Sequence, residues 1–172
     1  MTVTLDEIRQ AAGRIHPYIH RTPVLTNESL NTKTGAQVFL KCENMQKVGA
    51  FKFRGACNAV FSLTEEEATR GVCTHSSGNH AQALALAAKM RGIPAYIVMP
   101  ENAPSVKKNA VASYGGQITF CAPTLEAREA TLKQIYERTG ANVVHPYNDE
   151  GVIAGQGTAA VELLEEVPDL DG

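Results

Sequence analysis

Lys52 lies in Gly49-Ala50-Phe51-Lys52-Phe53-Arg54-Gly55-Ala56, with a phenylalanine on each side. Rings that flank an amine strip part of its hydration. Desolvation disfavours the ammonium, so the amine deprotonates more readily and can attack a carbonyl. That is the chemistry of a Schiff-base lysine. A lysine here can instead snorkel past two core phenylalanines to water, so the reading needs a second element. Ser76-Ser77-Gly78-Asn79-His80 supplies one. It falls between a short strand-like run and a long alanine-rich helical run. Loops at the C-terminal ends of parallel strands line ligand crevices. A helix N-terminus offers free N–H groups and partial positive charge, which suit a carboxylate. Ser76, Ser77 and Asn79 are also good N-caps, so capping and anion binding both stay open at this point.

Two other patterns invite chemistry and are set aside. His16 and His20 are four apart, a spacing that could share a helix face around a metal. Pro17 and Pro23 argue against a continuous helix there. Gly155-Gln156-Gly157-Thr158-Ala159-Ala160 fits G-x-G-x-x-A. A dinucleotide fingerprint follows a buried strand directly and has an acidic residue about twenty positions later. Here Asn148-Asp149-Glu150-Gly151 precedes it and reads as a turn.

The elements that must position Lys52 and Ser76–His80 follow from periodicity. Residues 4–14 read as a helix, with Thr4 and Glu7 as a capping box. Val38–Lys41 reads as a short strand, and Gly55–Leu63 as a helix. From Val72 the pattern alternates. Strands are expected at Val72–Thr74, Ala95–Met99, Gln117–Cys121 and Asn142–Val144. Helices are expected at Asn79–Met90, Ser105–Ser113, Leu125–Arg138 and Thr158–Glu166. Alternation with short links predicts an α/β fold: an open, mostly parallel sheet with helices on both faces.

Composition excludes some classes. The chain has 172 residues and a formal net charge of -2, which gives no argument for nucleic acid or an anionic membrane. Cys42, Cys57, Cys73 and Cys121 show no C-x-x-C and no zinc spacing. They read as reduced thiols of a cytoplasmic protein. The N-terminus has no apolar signal region, and no apolar run reaches membrane-spanning length.

Taken in order, four segments resemble one family. They are Lys41-x-Glu43-x-x-Gln46, Gly49-Ala50-Phe51-Lys52-x-Arg54-Gly55-Ala56, Ser76-Ser77-Gly78-Asn79-His80-Ala81-Gln82 and Ala154-Gly155-Gln156-Gly157-Thr158. They look like the fold-type II pyridoxal-phosphate enzymes, with a tryptophan-synthase-β-like fold. Within these they are most similar to serine racemases and serine/threonine dehydratases. The resemblance implies that Lys52 carries pyridoxal phosphate and shuttles the Cα proton. It implies that Phe51 packs on the cofactor ring and that Asn79 bonds the ring hydroxyl. Ser76, Ser77, Asn79 and His80 would hold a substrate carboxylate, largely through backbone N–H groups. Ser77 would stand as acid on the opposite face. Arg128 matches an arginine that approaches substrate in serine racemases, although Glu126, Arg128 and Glu129 also read as a solvated helix face.

The implied activity is β-elimination of L-serine or L-threonine to a 2-keto acid and ammonia, with serine racemisation as a second activity. Hydroxyaspartate is a neighbouring substrate. The implied division is a complete small domain, residues 64–147, and a truncated large domain, residues 1–63 plus 148–172. The family's phosphate loop, ring-nitrogen partner and divalent-cation (Mg or Mn) carboxylates are expected beyond these residues, and no metal ligand is assigned here. A homodimer is expected of the full-length enzyme.

Overall fold

The structure, a computed structural model, describes residues 2–171. Helix α1 (Leu5–Ile15) opens on the expected capping box: Glu7 accepts from the Thr4 N–H at 2.7 Å, and Thr4 Oγ1 accepts from the Glu7 N–H. It ends at Ile15, so His16 and His20 do not share a helix face. Strand β1 (Val24–Thr26) pairs antiparallel with β2 (Phe39–Lys41) around the short helix α2 (Glu28–Thr34). Neither β1 nor α2 announces itself in sequence. Both are short, and α2 buries no residue, so no hydrophobic period marks them.

Helix α3 spans Lys52–Phe61, three residues earlier at its start than the apolar pattern indicates. The added turn carries Lys52 itself. Helix α4 (Glu65–Arg70) is held by a second capping box, Thr64 with Glu67. The alternating block then follows: β3 (Val72–His75), α5 (Asn79–Arg91), β4 (Ala95–Pro100), α6 (Ser105–Ser113), β5 (Gln117–Cys121), α7 (Leu125–Thr139) and β6 (Asn142–Val143). The four strands form one parallel sheet in the order β5-β4-β3-β6. Side chains alternate across it. Val72, Ile97 and Met99 join a core with Leu84 of α5 and Val111 of α6. Cys73, Val98 and Cys121 face the other way, onto Ile135 of α7. Helices therefore cover both faces, as the alternation predicts.

Helix α8 spans Glu150–Glu166 and corrects the expected turn at Asn148–Gly151. Asp149 is its N-cap, with Oδ1 accepting from the Val152 N–H at 2.9 Å. The glycines of Gly155-Gln156-Gly157 therefore sit inside a helix. A Cβ on Gly155 would stand 2.5 Å from the Arg54 carbonyl oxygen, and one on Gly55 would stand 2.7 Å from that of Val152. Here α3 and α8 cross backbone against backbone. The motif is helix packing, not a phosphate loop.

Arg54 lies beside this crossing and is fully buried. Its guanidinium bonds both Glu43 oxygens at 2.8 Å and both Glu162 oxygens at 2.7 and 2.8 Å. Lys41 Nζ adds a 2.9 Å contact to Glu162. Burial works against the charge, but the paired carboxylates outweigh it and hold the guanidinium more firmly protonated than usual. The cluster ties β2, α3 and α8 together directly behind Lys52.

Candidate active site

Lys52 is the first residue of α3, and the chain enters it through a tight turn. Val48 and Gly49 both adopt positive φ, at 57° and 69°. For a β-branched valine that is an uncommon, strained conformation. The two phenylalanines then separate. Phe53 is wholly buried in the core, whereas Phe51 is 42% exposed. The Lys52 Nζ sits 5.3 Å from the Phe51 ring centroid and donates a 2.8 Å hydrogen bond to the Pro146 carbonyl. Burial pulls its pKa below that of an ordinary lysine. The amine is therefore partly desolvated and eased towards its nucleophilic form, with one of the two flanking rings beside it and the other turned into the core.

The Ser76–His80 segment connects the end of β3 to α5. Gly78 occupies the N-cap position, and no side chain caps the helix. Ser76 Oγ instead accepts from the Gly78 N–H at 3.3 Å. Ser77 Oγ makes no hydrogen bond among the described residues. The capping alternative is thus not what these serines do, and the first N–H groups of α5 lack side-chain partners. Asn79 is exposed, and its Oδ1 accepts from Lys107 Nζ of α6 at 2.7 Å. Lys107 escapes sequence reading because a Lys-Lys pair on a short helix looks like solvated surface.

His80 is only 3% exposed. Its Nε2 lies 3.2 Å from the Val144 carbonyl, which can only accept, so Nε2 carries the hydrogen. Nδ1 is buried without a partner. Burial, reinforced by the charge of Lys52, pushes the imidazole down to about 4, despite the bond to Val144. It is neutral at pH 7. The strip after β6 therefore joins the two site elements: Val144 holds His80, and Pro146 holds Lys52.

Arg128 stands apart. It lies on α7, half-buried, with its Nε buried and unpartnered. Its charge is felt by His75 at the end of β3, on the sheet face opposite α5. No hydrogen bond links it to Lys52 or to residues 76–80 among the described residues. His145 is a second residue that the sequence does not flag. Its ring packs edge-on against Tyr147 at 4.5 Å and His75 at 6.1 Å.

A parallel α/β sheet with a partly desolvated lysine at one helix start, and an uncapped helix start after the first strand of that sheet, is the setting of an α/β enzyme. Residues 15–172 match the family described as pyridoxal-phosphate dependent enzyme, and the chain belongs to it. Among its relatives, serine racemase from Dictyostelium discoideum is 56% identical over 170 residues, covering 99% of this chain and 52% of that protein. The crystal structure of that racemase superposes with a TM-score of 0.96. The beta-hydroxyaspartate dehydratase of Paracoccus denitrificans (strain Pd 1222) is 55% identical, covering 98% of this chain and 53% of that protein. The crystal structure of threonine deaminase from T.th. superposes with a TM-score of 0.89 at 41% identity, covering 96% of this chain and 52% of that one. The architecture is that of the fold-type II pyridoxal-phosphate enzymes, and the chain spans about half the length of the curated relatives it matches. No helix among the described residues is long and apolar enough to cross a membrane.

Proposed function

We propose that the protein carrying this chain catalyses pyridoxal-phosphate-dependent β-elimination of L-serine or L-threonine to a 2-keto acid and ammonia, with serine racemisation as a second activity. The observation that carries this reading is the Lys52 amine: partly desolvated, beside an exposed phenylalanine, and joined through residues 144–146 to the uncapped start of α5. These groups fit the cofactor. The amine can hold its aldehyde carbon, the Phe51 ring can pack on its ring, and the Asn79 amide can bond its hydroxyl. The orphaned Nδ1 of His80 marks a buried polar position still seeking a partner.

When bound, pyridoxal phosphate supplies the electron sink that makes an amino acid's Cα proton removable. Lys52 Nζ then takes that proton on its own face as general base. The Pro146 carbonyl orients the amine. Ser77 Oγ, free of a capping bond, can deliver a proton from the other face. Backbone N–H groups of residues 76–80 bind the substrate carboxylate at the helix end. Neutral His80 adds no charge to this site. Arg128, whose Nε is buried without a partner, is the residue of α7 that would approach the substrate.

The same reading divides the chain into a small domain, residues 64–147, and a share of a large domain, residues 1–63 and 148–172. It places a divalent cation outside this chain's residues, and a homodimer in the full-length protein. A hydroxyaspartate substrate is the second reading, favoured by the Paracoccus relative.

The test is an absorbance spectrum with added pyridoxal phosphate, then borohydride trapping and peptide mapping. An adduct on Lys52, absent in Lys52→Ala, with pyruvate formed from L-serine by the full-length protein, is the expected result. A full-length protein that traps no adduct at Lys52 overturns the assignment.

A further inference from the structure

Residues 145–148 run between two fixed ends. Before them, the Val144 N–H donates to Cys73 O, and its carbonyl holds His80. After them, Asp149 caps α8. Between these ends, no backbone–backbone hydrogen bond closes the chain among the described residues. Pro146 has no N–H to offer. The N–H groups of Tyr147 and Asn148 both turn inward to one atom, His145 Nδ1, at 3.4 and 2.9 Å. The Pro146 carbonyl, inside that turn, points outward to Lys52 Nζ at 2.8 Å.

We propose that His145 is a positioning residue: its Nδ1 gathers the N–H groups of Tyr147 and Asn148 into the turn that aims the Pro146 carbonyl at Lys52. The inference rests on the proposed role of Lys52 only for its catalytic meaning. Both partners of Nδ1 are donors, so Nδ1 must be the bare acceptor and any ring hydrogen must sit on Nε2. A proton on Nδ1 would set three donors against one another and open the turn. Polar groups from three elements surround the ring. His75 faces it from β3. Glu129, Lys133 and Tyr136 of α7 line the same cavity, of about 340 Å³. Tyr147 packs on it from its own loop.

Asparagine and glutamine separate this role from simple packing. Asn places Oδ1 where His145 has Nδ1, whereas Gln places its acceptor one bond farther out. In the full-length protein, His145→Gln should speed hydrogen exchange of the Tyr147 and Asn148 amides by about tenfold, the scale of one net hydrogen bond. It should slow borohydride trapping of pyridoxal phosphate at Lys52 by a similar factor. His145→Asn should restore both. Equal exchange in wild type and His145→Gln, or Asn and Gln variants behaving alike, would overturn the proposal. So would a ¹⁵N spectrum of the wild type showing Nδ1 protonated at pH 8, which needs no variant. The exchange and ¹⁵N measurements need no cofactor. A protein that passes them but traps nothing at Lys52 refutes the proposed function and leaves the turn assignment standing.

Discussion

The helices of this molecule begin in two ways. Helices α1, α2, α4, α7 and α8 start on side-chain caps from Thr4, Asn27, Thr64, Thr124 and Asp149. Helices α3, α5 and α6 start without one, and they carry Lys52, the Ser76–His80 segment's end, and Lys107. Ser76, Ser77 and Asn79 could have capped α5 and do not. Capped ends are closed by their own sequence. Uncapped ends are fixed by buried side chains one or two residues further in, Phe53 and Arg54 for α3 and His80 for α5. The difference teaches that fold and site divide the work: local chemistry holds a helix where only its position matters, and tertiary anchors hold it where its first turn carries the candidate site.

The comparison can be broken at five positions. The largest effect belongs to Lys52→Ala. It should remove the trapped adduct and lower turnover of L-serine in the full-length protein by at least about 10²–10⁴, the worth of a general base, while the folded protein persists by circular dichroism. Next is Arg54→Ala. Leaving Glu43 and Glu162 without their guanidinium should cost about 3–5 kcal/mol in denaturant unfolding, and a cost near zero would mean that α3 needs no anchor. Third, His80 is neutral when folded and titrates near its free value of 6.5 when unfolded. The unfolded chain binds the extra proton between pH 6.5 and about 4. Stability should be intact above pH 6.5 and decline through that window, by roughly 3 kcal/mol at its foot, an effect that His80→Gln should reduce. The smallest effects compare caps directly. Thr124→Ala should cost about 1 kcal/mol and leave turnover alone. Ser77→Ala should cost under about 0.5 kcal/mol and shift the ratio of racemisation to elimination. A full cap's worth of stability lost at Ser77 would sink the distinction.

The alternating block was legible because strand and helix periods switch cleanly from Val72 onward and glycines mark the ends. Lys52 and Ser76–His80 were legible because their neighbours are chemically unusual. The misses have one physical origin. Ser76, Ser77 and Asn79 score as caps locally, and only the fold shows that the caps are unused. The pattern at Gly155-Gln156-Gly157 argues against a nucleotide site because a turn is expected before it, yet only the fold shows Gly155 laid against α3 and Gly157 against Ile8 of α1. Arg54, Lys107 and His145 act through partners far away in sequence: Arg54 on Glu162, Lys107 on Asn79, and His145 on a turn serving Lys52. No window of sequence contains such pairs.

The bare crossing of Gly55 and Gly155 also sets a clock on synthesis. The two glycines are about a hundred residues apart, so a ribosome adding about 5–20 residues per second separates their emergence by roughly 5–20 s. During that interval the strands between them can pair, but α3 has no α8 to lie against. The face of α3 around Gly55, Asn58 and Ala59 waits in the open. The helix that carries Lys52 is thus the element whose packing is completed late in synthesis, a face left uncovered while the strands between the two glycines are made.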